Sequence, residues 1–122
     1  MSDADYVFYA QQDVVHDWAR NVFLSHGEAH QIAILLAHTF GFARPMVVWE
    51  ASGAQSALDI EATTINNKRT GERTILFRGL GCTLLTLCHE LVHCWRPWEE
   101  PHHDKQDWDL TVLLLEESRE LI

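Results

Sequence analysis

The sequence predicts a single α+β domain, and three observations predict it. Apolar residues recur at helical spacing over residues 10–40. Residues 46–79 then change to short β-rich or alternating runs punctuated by a turn. From about residue 82 the helical pattern resumes and continues, with one proline-broken interruption, to the end. A chain of 122 residues, 47% hydrophobic and 22% charged, is one domain by length. It is large enough to bury a core without disulfides.

Taken in order, Val14, Val15, Trp18, Val22 and Phe23 fall on one helical face, so residues 10–24 are expected to form a first helix. Ser25 followed by Glu28 has capping-box spacing and predicts a second helix from about Gly27 to Phe40. Ile32, Leu35, Leu36 and Phe40 form its apolar stripe, and Gly41 is a suitable stop. Pro45 is followed by the β-rich run MVVWEA. In ALDIEATTI (57–65), Leu58, Ile60 and Ala62 alternate with Asp59, Glu61 and Thr63. NNKRTGE (66–72) reads as a turn, and RTILFRG (73–79) as a strand with Ile75 and Phe77 on its apolar face. The expected order is two N-terminal helices, a small three-stranded sheet containing an antiparallel hairpin, a helix over about Cys82–Trp95, and a C-terminal helix over about Asp104–Leu121. Pro97 and Pro101 separate the last two.

Composition narrows the partners. The formal net charge is −9, and the only adjacent basic pair is Lys68-Arg69, so strong direct binding to nucleic acid by this chain is not expected. Protein or peptide substrates remain open. Apolar runs such as LTVLLLEE (110–117) are too short to span a bilayer, so no membrane association is expected. The acidic start MSDADYVFYAQQD lacks the features of a secretory signal, and three cysteines suit a reducing compartment. A cytoplasmic location is therefore expected.

The chemistry concentrates in TLLTLCHELVHCWRPW (83–98). His89-Glu90-Leu91-Val92-His93 reads HExxH, which places two imidazoles one helical turn apart, within reach of one metal ion. Glu90 stands beside them to take a proton from a water. On a helical wheel, Thr83, Thr86, Glu90 and His93 form one polar stripe. Leu84, Leu85, Cys88, Leu91, Val92 and Trp95 occupy the other side. Cys88 falls among the core positions and Cys94 at the stripe's edge, leaning away from both histidines; no CxxC spacing exists. All three cysteines are thus expected as buried or half-buried thiols. His26 and His30 lie four apart but have no third donor nearby and are read as surface or capping residues. His16 and His38 are read as structural or solvent-facing, and Trp95 and Trp98 as packing residues. The acidic residues Glu99, Glu100, Asp104, Asp107 and Asp109 read as a solvated rim.

Catalytic zinc takes three protein ligands and keeps one position open. Arg96 and Glu99 stand where the longer HExxHxxGxxH pattern would need glycine and histidine, so that class is excluded. Candidates for the third ligand are His102, His103, and the late glutamates Glu116, Glu117 and Glu120. HELVHCW followed by a short linker and HHDKQDW resembles the SprT-like zinc metallopeptidases and their small relatives of the YgjP/WLM group, over roughly residues 73–115. The resemblance implies a minimal zincin fold, with His89, His93 and His103 as Zn2+ ligands and Glu90 as general base. It further implies Trp108 as the aromatic behind the third ligand. The doubled histidine departs from the family pattern and makes His102 a rival.

The activity so implied is zinc-dependent endopeptidase cleavage. A catalytically silent, metal-stabilised adaptor or inhibitor of the same fold is an alternative. A repressor-cleaving peptidase of the ImmA/IrrE-like kind, with a carboxylate from the last helix as third ligand, is another. The strand at 73–79 is the expected edge for pairing with an extended substrate.

Overall fold

The computed structural model describes residues 13–50, 62–79, 81–96 and 105–121. The first regular element is a short 3-10 helix, Asp17–Asn21. It is followed by β1 (Phe23–Leu24), α1 (His26–Phe40), β2 (Met46–Glu50), β3 (Ala62–Asn66) and β4 (Arg73–Arg78). Then come β5 (Cys82–Thr83), α2 (Leu84–Trp95) and α3 (Lys105–Arg119). The class is α+β, with three α-helices among the described residues.

The first helix expected from the sequence is the main correction. Val14, Val15 and Phe23, three of the apolar residues that predicted it, are exposed, only Ala19 of the 3-10 helix is buried outright, and residues 10–12 lie outside the described residues. The segment is held by side chains instead. His16 Nδ1 lies 2.7 Å from Asp13 Oδ2, and its Nε2 lies 2.5 Å from Glu116 Oε1 on α3. Trp18 packs against the main core and carries the Arg119 guanidinium over its ring. His16 is therefore a structural residue, one of the two roles read for it.

The second expected helix is α1. Ser25 accepts from the Glu28 backbone, and the Glu28 carboxylate accepts from Ser25 N at 2.8 Å, so the capping box closes in both directions. Gly41, at φ 74°, returns its N–H to Ala37 O as an αL stop that other residues adopt at a cost. Ile32 and Leu36 face the core, while Leu35 is largely exposed.

The sheet has the order β2-β4-β3, with β2 parallel and β3 antiparallel to β4. The β3–β4 hairpin was legible from its turn. Asn67 Oδ1 accepts from the backbone of Arg69 and Thr70, and Gly71 takes φ 79° at the corner. Because β4 is central, its edges are both paired, and 73–79 is not a sheet edge as the sequence suggested; β3 and β2 are the flanking strands. Residues 57–61 of the expected strand lie outside the described residues.

Register sorts the sheet's two faces. Thr64, Ile75 and Val47 share one row, as do Ala62, Phe77 and Trp49, and these rows face the helices. Ile75 and Phe77 are fully buried against Leu36 of α1, Leu84, Leu87 and Leu91 of α2, and Leu114 and Leu115 of α3, all in one core. Each such side chain contributes about 1.5–3 kcal/mol through removal from water. Trp49 stacks between Phe77 and His26, at centroid distances of 4.5 and 3.7 Å.

A two-stranded antiparallel ribbon, β1 with β5, had no signal in the sequence because each strand is two residues long. It brings the chain into α2 at a fixed angle. Gly81, just before β5, sits so close to β1 that an added Cβ would stand 2.4 Å from Leu24 O. Gly81→Ala is expected to cost about 1–3 kcal/mol, since a backbone carbonyl cannot yield as a side chain can. Equilibrium urea unfolding checks this; a loss below about 0.5 kcal/mol, the range of indifferent surface changes, would contradict the close approach. Among the described residues, no helix is long and apolar enough to cross a membrane.

Candidate active site on the HExxH helix

The helix α2 begins where Thr83, in extended conformation, accepts from Thr86 N through its side chain at 3.1 Å. Arg96 closes it by donating its N–H to Val92 O. Between these caps α2 is buried on nearly every side, including Leu84, Leu87, Cys88, Leu91, Val92 and Cys94. Thr86, His89 and His93 remain half-buried on one flank. The expected polar stripe is therefore present, and it is narrow.

Within it, His89 and His93 stand one turn apart with ring centroids 4.9 Å apart and planes at 88°. Glu90 lies deeper, 7% exposed, with Oε2 4.0 Å from His89 Nε2. Its Oε1 accepts from the Thr64 hydroxyl of β3 at 2.5 Å. That is the separation of a charge-assisted O–H···O bond, the kind a buried carboxylate needs to offset desolvation.

The sheet also finishes the helix. The last carbonyls of an α-helix have no partner within it. Here Asn66 Nδ2 donates to His93 O at 3.0 Å, and Arg73 Nε donates to Cys94 O at 3.3 Å. Thr64, Asn66 and Arg73 were missed as functional residues by the sequence reading. Their signal was present, since Thr64 and Asn66 continue the inward alternation of Ala62 but are polar.

Cys88 and Cys94 do not belong to the site. Both are essentially inaccessible, so Cys94 is a core residue and not the margin residue the wheel suggested; β3 and β4 close over that flank. Burial pushes both thiols up to about 12, and the Glu90 charge adds to the effect on Cys94 while Arg73 opposes it. Among the described residues, neither belongs to a group of three side chains arranged to hold a metal ion. Thiol titration of the folded protein at about pH 8 is expected to leave these two unmodified until denaturant is added. Prompt modification of Cys94 in the native state would contradict this.

The other candidates are placed as follows. His26, His30 and His38 are exposed, and His26 stacks on Trp49 with its ring nitrogen 3.4 Å from Gly79 O. Trp95 packs with Phe40 and Phe42, as expected of a packing residue. His102, His103, Trp98, Glu99, Glu100 and Asp104 lie outside the described residues. Trp108 is buried against Leu85 and Val112, on the face of α3 that meets α2. Of the expected acidic rim, Asp109 is exposed beside Lys105, but Asp107 is buried and paired with Arg96.

Among the described residues, no group of three His, Cys, Asp or Glu is arranged to hold a metal ion. Glu116, Glu117 and Glu120 therefore do not join His89 and His93 in such a set. Glu116 meets His16 instead. No protein-family model matches the chain, and neither a curated protein nor a solved structure matches it.

Proposed function

We propose that this protein is a zinc-dependent endopeptidase of minimal zincin fold, similar to the SprT-like and YgjP/WLM peptidases, and that Glu90 is its general base. The observation that carries the reading is the placement of Glu90. A buried carboxylate is held at one oxygen by Thr64, with the other oxygen 4.0 Å from His89, whose ring adjoins that of His93. A purely structural metal site has no need of such a carboxylate.

His89 and His93 present two imidazoles side by side on one helical turn, the nitrogen donors zinc prefers. His103 is the third ligand by resemblance, with His102 its rival. Bound there, zinc lowers the pKa of water toward neutrality and polarises a carbonyl. Glu90 takes the attacking water's proton at Oε2 and returns it to the nitrogen that leaves as the peptide C–N bond breaks. An extended polypeptide is bound along β3, the flanking strand that touches α2, through β-augmentation.

The test is metal content and cleavage together. Wild-type protein is expected to hold one zinc and to cut an unstructured protein such as casein in a chelator-sensitive manner. His103→Ala is expected to lose most of the metal. Protein that takes up no zinc would refute the proposal. Full retention by His103→Ala would move the third ligand to His102. Zinc bound without any cleavage would favour the adaptor reading.

A further inference from the structure

We infer that Thr64 is a positioning residue for the carboxylate of Glu90, fixing which of its two oxygens faces His89; this rests on the reading of Glu90 as general base. The Thr64 hydroxyl has one proton and two acceptors in view, both on the same residue. Glu90 Oε1 is 2.5 Å away and Glu90 O is 3.3 Å away. A carboxylate oxygen is the stronger acceptor and the nearer one, so the proton goes to Oε1. That bond pins the carboxylate's rotation. It also sets which oxygen faces the histidine: with Oε1 held by Thr64, Oε2 stands 4.0 Å from His89 Nε2.

The hydroxyl is itself held in place from three directions. Thr64 is paired with Ile75, a fully buried residue of the central strand, so its strand cannot slide without exposing the core. Two residues on, Asn66 ties the same strand face to His93 O, locking β3 to the turn of α2 that carries the motif. As a β-branched side chain, threonine is stiff at χ1, and serine would offer the same donor with more freedom. The arrangement couples strand register to the orientation of a side chain on a different element. A threonine that merely satisfied a buried carboxylate would affect stability without affecting turnover, and the experiment separates the two.

Thr64→Val keeps the shape and removes the donor, whereas Thr64→Ser keeps the donor. With zinc-loaded full-length protein and casein as substrate, Thr64→Val is expected to lower kcat by about 10- to 100-fold, the range for removing a partner that orients a working group. KM and zinc content should stay near wild type, and Thr64→Ser should recover most of kcat. An activity-independent readout is the side-chain carboxyl carbon of Glu90 by 13C NMR, assigned by its loss in Glu90→Gln. Its resonance should move in Thr64→Val and return in Thr64→Ser. If Thr64→Val does not fold, as judged by circular dichroism, Thr64→Ala takes its place. An unmoved resonance would overturn the contact. A moved resonance with undiminished kcat would overturn the positioning role. A wild type that binds zinc and cleaves nothing would overturn the general-base reading, and the NMR shift would then report Thr64 as structural support only.

Discussion

Asp107→Ala is expected to lower the unfolding free energy by about 3–5 kcal/mol. Asp107 and Arg96 form an ion pair in which the side chains are 2% and 8% exposed. Removing the carboxylate leaves the guanidinium buried without the countercharge that Asp107 supplied. It cannot neutralise itself by giving up a proton, because a guanidinium stays charged throughout the working pH range. The position compounds the effect. Arg96 caps α2 through its backbone, and Asp107 lies in the first turn of α3, so the pair clasps the two ends of the connection 97–104. Equilibrium urea unfolding of Asp107→Ala and of Arg96→Leu/Asp107→Leu checks the argument. The double variant should recover most of the stability, since a buried pair replaced by apolar residues is often neutral or better. A loss below about 1 kcal/mol in the single variant is what an exposed pair would give, and would contradict the buried one.

The same pair marks where reading the sequence stopped. Asp107 looks like one more member of an acidic run, and nothing in its neighbourhood distinguishes it from the exposed Asp109 two positions on. Its burial comes from the packing of α3 on α2, a long-range fact. Local signals, by contrast, were legible. The Ser25–Glu28 box, the Gly41 stop and the Asn67–Gly71 turn each close within a few residues, and each formed where its chemistry placed it. The HExxH helix was legible for the same reason, because its apolar and polar residues lie on different flanks. The expected helix over residues 10–24 failed because apolar spacing does not record burial; Val14, Val15 and Phe23 are exposed, and Phe23 already belongs to β1. The parallel alignment of β2 with β4 and the Thr64 contact to Glu90 are pairings across sequence, which no window of residues contains.

Glu90→Gln is the change expected to affect function most. It should lower cleavage by about 10²- to 10⁴-fold, the usual contribution of a general acid–base residue, while zinc content stays at the wild-type value. Glutamine has the size of glutamate, and its carbonyl oxygen accepts from the Thr64 hydroxyl as Oε1 does. The packing between β3 and α2 is therefore retained. What disappears is the second oxygen's ability to take a proton. An amide in that place neither accepts one near neutral pH nor returns one to a leaving amine. Removing a buried negative charge carries no stability penalty comparable to that of Asp107→Ala, so melting followed by circular dichroism should stay near wild type. Stability, metal and turnover thus separate, with only the last one lost. Cleavage at the wild-type rate would remove Glu90 from the chemistry. Loss of zinc along with activity would make Glu90 a metal ligand, a role its buried, Thr64-bonded oxygen argues against.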